Sequence, residues 1–375
     1  MRKTVFWVFL VWGVILWVPP SGDCAGKKEK ISMAPAFPRK GIWLNQKPAK
    51  DELFNQRVTL VYFWDYTSVN CLRELARLNR WFAHYHPYGL DFIFVHAPEF
   101  EFAQKKENVE RAVERLQIPY PIFLDNRFKL WDKYGTKAWP MKYLVDPKGM
   151  IVYAQGGEGE YQAIEEKMRE LLNKLQPGAV LPEPLYQHSS KQEMDFFNIK
   201  KCGGMSPETY VGYQRAAWWG AEIATKRGVL PDQTVDYRDR GKRVERGFFA
   251  EGLWTNRKDY FEHARDTAFV SDYLGMLYVA REAYAVLSQA EEGARATRIY
   301  VTRDGQPIPE ILQGKDLQED LSGGTFLLLE EPRLYYLIAN EDNDPHELKL
   351  WTQKKGVAVH SFSFSNHCLS QFEHL

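Results

Sequence analysis

Ser68-Val69-Asn70-Cys71 sits between the apolar run "VTLVYFWDY" (58–66) and a stretch that places Leu72, Leu75, Leu78 and Phe82 at helical spacing. A strand that ends where a helix begins is a place where thiols do redox chemistry. The helix dipole and its free N–H groups favour a thiolate at the first position, and a second thiol three residues on resolves the mixed disulfide. Only the resolving position keeps its sulfur here. Ser68 has no activating base in the neighbouring sequence and is not expected to attack as a nucleophile; a serine entering a helix is a favoured N-cap. Cys71 and Ser68 are therefore the candidate catalytic residues, with single-thiol chemistry at Cys71 as the most they would do.

The elements that must position this corner are legible as alternating strands and helices. Residues 58–66 read as a central strand buried on both faces. "GLDFIFVHAPEF" gives a second strand, "ENVERAVERLQI" a second helix, "YPIFLDN" a third strand and "RFKLWDKYG" a brief helix. "WPMKYLVDPKGMIVYAQGG" reads as a hairpin turning at Asp146-Pro147-Lys148-Gly149, and "YQAIEEKMRELLNKLQ" as a closing helix. The order predicts a three-layer α/β domain over residues 35–176. Residues 177–194 are rich in proline and polar side chains and read as a linker. From 195 to 372, short alternating segments separated by Gly, Asp and Asn predict an all-β sandwich or jelly roll.

Lysines plus arginines number 49, as do aspartates plus glutamates, so no net field points to nucleic acid or an anionic membrane surface. Residues 1–25 run from Arg2 and Lys3 through "TVFWVFLVWGVILWV" to small residues, the order of a secretory signal or N-terminal anchor. Export to the periplasm or outside the cell is expected, with membrane contact only through that segment if it is retained. Of four cysteines, Cys24 belongs to that segment, and Cys202 with Cys368 is a candidate disulfide. Residues 27–40 read as a charged, proline-broken tether. No motif asks for a cofactor; His84 and His86 pair in sequence without a third metal ligand.

The corner and the motifs after it resemble the TlpA/DipZ-type exported thioredoxin-like proteins over residues 40–370. The resemblance rests on "YFWDYTSVNCLR", "VHAPEF" (95–100), "YPIFLDN" (120–126), "AWPMKYLVD" (138–146) and "GEGEY" (157–161), met in that order. It implies a thioredoxin-like fold in the thiol-disulfide oxidoreductase family, with Pro140 as a cis-proline beside the corner. It further implies that a substrate groove survives beside Pro140, and a C-terminal β-domain that resembles a carbohydrate-binding jelly roll. "SPETYVGYQRA" (206–216) and "EEPRLYYLI" (330–338) carry that last likeness. His96 and Glu99 follow a strand at the C-terminal edge of an α/β sheet, where ligands commonly bind, and with Trp64, Trp139 and Pro140 are the candidates to line the groove; an envelope thiol-disulfide protein or a glycan is the expected partner. The sequence departs from the family twice. The attacking cysteine is Ser68, and the acidic residue expected before Phe-Trp, a proton relay in relatives, is Tyr62.

Two alternatives stand beside a redoxin impaired in dithiol exchange. Ser68-x-x-Cys71 matches half of the peroxiredoxin pattern, but Trp64 replaces its proline, and Lys142 and Pro140 occupy the region of its activating arginine. A non-enzymatic protein binding glycan or a cell-envelope partner would use stacking aromatics, for which Trp218, Trp219, Trp254 and Tyr260 are candidates.

Overall fold

The computed structural model describes residues 32–366 except 39, 49–52, 55, 189–203, 220, 221, 225–227, 245, 246 and 291–294. The signal-like segment 1–25, Cys24, Cys202 and Cys368 lie outside the described residues. The described residues form one compact unit.

β3 (Val58–Trp64) is buried along its whole length. Its alternation sorts the core: Val58, Leu60, Tyr62 and Trp64 face one set of apolar side chains, Val61 and Phe63 the other. On one side, β4 (Leu90–His96) runs parallel to β3 with Trp64 opposite His96. On the other, β6 (Met141–Val145) runs antiparallel with Tyr62 opposite Lys142. With β1 (Ser32–Met33), β2 (Trp43–Leu44), β5 (Ile122–Leu124) and β7 (Met150–Gly156), the sheet order is β1-β7-β6-β3-β4-β5-β2. α1 (Val69–Tyr85), α2 (Lys106–Arg115) and α4 (Tyr161–Leu175) supply the core on the Tyr62 face, and α3 (Lys129–Tyr134) supplies the Phe63 face. This is the thioredoxin-like three-layer arrangement. The residues read as a tether do more than span: Ser32 and Met33 pair with β7 as an edge strand, and Ala34 is buried. The hairpin turns where expected, with Gly149 at φ +79° and its N–H donating to the Asp146 carbonyl.

The second region is a hydrogen-bonded path of strands that folds over on itself. Strand Gly247–Asn256 belongs to both halves. Residues 248–251 pair with 273–276, whereas 254–256 pair with 261–263. Gly252 makes the bend at φ +98°, where a Cβ would lie 2.1 Å from the Asp272 carboxylate, so glycine is required by both backbone and space. Strands Asp272–Val279 and Glu282–Gln289, although adjacent in sequence, do not pair with each other: the first pairs with Pro345–Thr352, the second with Val357–Ser365. The two faces enclose one apolar core around Phe248, Trp254, Leu274 and Leu350. A short helix, α5 (Tyr213–Trp219), departs from the all-β expectation.

Candidate functional site: the corner and its two buried acids

Ser68 stands at the N-cap of α1 with extended backbone, and its carbonyl accepts from the Cys71 and Leu72 N–H groups at 3.1 Å. The expected cap bond from its hydroxyl is not made. The Ser68 side chain instead favours the ionised form of the Cys71 thiol, against the effect of burial. Cys71 is fully buried, 0% exposed, and is the free cysteine among the described residues. Burial pushes its thiol well above the ordinary range. Ser68 and a backbone hydrogen bond from Asp65 pull it down, and the Glu74 and Asp65 carboxylates push it up again. The N-terminal turn of α1 thus holds a thiol, not a thiolate, against the usual effect of a helix dipole.

Beneath the thiol lies a polar network. Glu74, one turn beyond Cys71, is buried and ion-paired with the equally buried Lys142 of β6. Tyr62 donates its hydroxyl to Glu74 at 3.1 Å and to the Cys71 carbonyl at 3.3 Å. The "GEGEY" loop closes the network: Gly157 offers its carbonyl to Lys142 at 2.8 Å, Gly159 donates its N–H to Glu74 at 3.3 Å, and Glu158 pairs with Arg73. The acid missing before Phe-Trp is therefore not missing from the interior. A carboxylate reaches the same space from α1, with Tyr62 as its hydrogen-bond donor. Of the apolar positions expected on α1, Leu75 and Leu78 lie on the buried face, while Leu72 and Phe82 sit at its edge beside Cys71 and Trp81. The fully buried face is Cys71, Glu74, Leu75, Leu78, Trp81 and Tyr85, while Leu72 and Phe82 are half-buried. An acid in step with that face was the available signal for Glu74.

The residues expected to line a groove are distributed otherwise. The Trp139–Pro140 peptide is cis, as the resemblance implies. Trp139 is half-buried, donates its indole N–H to the Ala97 carbonyl at 2.9 Å and packs on Trp131. Trp64 and His96 have no exposed surface; His96 stacks on Tyr66 and lies 3.6 Å from Asp65. Their place is below the corner, not on its surface. Glu99 points away from the thiol to the junction with the second region. Arg215 donates to its carboxylate at 3.1 Å and to its carbonyl at 2.7 Å, and Tyr210 donates its hydroxyl to it. The same hydroxyl contacts Glu208 at 3.0 Å. Burial and Glu208 push the Glu99 carboxyl up to about 8, with Arg215 and Tyr210 opposing. Glu208 is raised as well, by its burial.

Around this cluster the second region covers the corner. Val69 and Leu72 of α1 and Phe100 pack against Tyr210, Tyr284, Val286 and Leu334. His360 sits edge-on to Phe100 and Phe102 at 5.1 and 4.8 Å, and burial lowers its pKa to about 3, so it is neutral there. The candidate sugar platforms fare differently. Trp254 is core, stacked on Phe261 at 5.5 Å with its indole N–H bonded to the Glu251 carbonyl. Tyr260 is half-buried against His360. Trp218 and Trp219 end α5, and their side chains lie outside the described residues. Among the described residues no helix is long and apolar enough to cross a membrane, and no cluster of three His, Cys, Asp or Glu could hold a metal.

The fold and this corner define a thioredoxin-like protein with one corner thiol, docked onto a β-sandwich of its own chain. Residues 32–154 match the AhpC/TSA family, and residues 206–365 match the thioredoxin-like C-terminal domain. Protein DipZ of Mycobacterium bovis is 31% identical over 313 residues, covering 82% of this chain and 42% of DipZ. The chain thus spans under half the length of that relative. Thiol-disulfide oxidoreductase YkuV of Bacillus subtilis is 24% identical over 130 residues, 35% of this chain and 87% of YkuV. A solved thioredoxin-like protein in the oxidized form aligns at 23% identity and a TM-score of 0.35, covering 40% of this chain and 99% of its own. The chain belongs to the TlpA/DipZ-type redoxins, within the thiol-disulfide oxidoreductase family.

Proposed function

We propose that this redoxin has left dithiol exchange and uses its corner as a docking element, with Cys71 as a shielded single thiol. The observation that carries this reading is the complete burial of Cys71 beneath a first helical turn covered by the second region. Exchange needs an exposed thiolate and a second thiol to resolve the intermediate. Here the attacking position is Ser68, the remaining thiol is driven toward its neutral form, and Val69 and Leu72 are occupied by an intramolecular partner. A peroxidatic role is disfavoured by the same burial, and Lys142, the cation nearest the place of an activating arginine, is committed to Glu74. The charged, apolar, small-residue order of residues 1–25 supports export of the protein.

Site-resolved alkylation followed by mass spectrometry tests this. In the native full chain Cys71 is expected to resist a maleimide at mildly alkaline pH and to react at once in denaturant, and the protein is expected not to reduce insulin. Native labelling of Cys71 at the rate of a free cysteine, or wild-type insulin reduction, would sink the proposal. Ser68→Cys restores the second sulfur, and the variant is expected to form a disulfide with Cys71 only slowly while the second region stays docked.

A further inference from the structure

The junction encloses a small cleft that is separate from the thiol. It lies between the first turn of α1, the end of α2 and strand Arg333–Ala339, and encloses about 70 Å³. Arg73 lines it, with a side chain only 8% exposed. Two of its three nitrogens are engaged: Nε donates to Glu158 at 2.8 Å, and Nη2 donates to Asn70 at 2.6 Å and to Glu158. Nη1 is buried and has no hydrogen-bond partner among the described residues. A buried guanidinium N–H left without an acceptor is destabilising, and a bound acceptor would remove that penalty.

The charge around the cleft points the same way. Arg115, Lys315 and Arg333 line it with Arg73; Asp316 is the lining carboxylate, and Glu158 and Glu282 act on Arg73 from outside the lining. Glu331 pairs with Arg115, and Asp316 with Arg333 at 2.9 Å, so the wall is braced. It still crowds cations. Burial and Arg333 pull Arg115 down to about 10, and burial, Arg333 and Arg115 lower Lys315 while Asp316 opposes. The remaining wall is apolar, with Leu72 and Leu334 from opposite sides. A ligand that meets both demands has an anionic head and a short apolar body. Its size is bounded by the volume, roughly half that of a cavity that accepts benzene.

We propose that this cleft binds a short aliphatic carboxylate, its oxygens accepting from Arg73 Nη1 and its chain lying between Leu72 and Leu334. Because the walls come from both regions, such a ligand bridges α1 to the β-sandwich and holds them docked. The inference needs no chemistry at Cys71 and stands apart from the reading of that thiol.

The test is isothermal titration of the full chain with sodium acetate, compared with ethanol and inorganic phosphate at matched ionic strength. Saturable acetate binding is expected, with ethanol and phosphate each about tenfold weaker or more, as loss of a charge-assisted hydrogen bond or of apolar contact requires. Arg73→Gln, checked for folding by circular dichroism, is expected to weaken acetate about tenfold or more. Lys315→Met changes the cation crowding without touching the Arg73–Glu158 pair and is expected to weaken it severalfold. No acetate binding, phosphate binding as tight as acetate, or unchanged affinity in the folded variants would overturn the proposal.

Discussion

Two buried acidic sites flank the corner, and they handle charge in opposite ways. Inside the thioredoxin-like domain, Glu74 has one carboxylate, one cation and two further donors: Lys142, the Tyr62 hydroxyl and the Gly159 N–H. At the junction, Glu99 and Glu208 share one guanidinium, Arg215, and one hydroxyl, Tyr210. Burial raises the carboxyl in both places. At Glu74 the Lys142 ammonium opposes it more strongly than Glu158 adds to it; at Glu99 the Glu208 carboxylate adds more than Arg215 opposes. The interior of the domain thus fixes a charge pair, whereas the junction holds a proton. A pair that is complete gives a rigid corner, and a pair that is one cation short gives an interface whose strength depends on pH.

The largest test of this contrast is Lys142→Met. It strands Glu74 without its cation and is expected to cost about 3–5 kcal/mol in denaturant unfolding, with Glu74→Gln added on the same chain restoring much of it. A loss of only about 1 kcal/mol, as for a surface pair, would mean the network does not organise the corner.

Next comes the pH dependence of the junction. Glu99 has an ordinary carboxylate pKa of 4.5 when unfolded and about 8 when folded, so between those values the folded chain binds more protons. Stability is therefore fullest below that window, falls as pH rises through it by up to about 1.4 kcal/mol per pH unit for this group, and levels off above it. Glu99→Gln should flatten that slope, measured by urea unfolding across the window. An unchanged slope would place the proton elsewhere.

The smallest effect separates the two tyrosines. Tyr62→Phe and Tyr210→Phe each remove a buried donor and are expected to cost about 1–3 kcal/mol. Only the Tyr210 loss should grow as pH rises, because that hydroxyl stabilises the ionised forms at the junction; equal pH profiles for both variants would erase the distinction.

Much of the frame was legible because it is local. The β3 run, the helical spacing after Cys71, and the Asp146–Gly149 turn are set by neighbours a few residues apart, and Ser68 in place of a cysteine is visible at once. The short edge strand at Ser32 was not, since two residues carry no period and become a strand only by pairing with β7. Trp254 illustrates the same limit: an aromatic in a β segment reads alike whether it faces sugar or core, and here Phe261 and the folded-over sheet enclose it.

The sequence by itself determined that this corner has one sulfur, that it sits between a buried strand and an amphipathic helix, and that a β-rich region follows. Only the tertiary structure decided what surrounds that sulfur. Glu74 meets Lys142 across 68 positions and Glu99 meets Arg215 across 116. Charge pairing in a low-dielectric interior is governed by distance in space, which no spacing along the chain encodes. Whether Cys71 is open or covered was likewise settled by a surface more than a hundred residues away, folding back onto the first turn of α1.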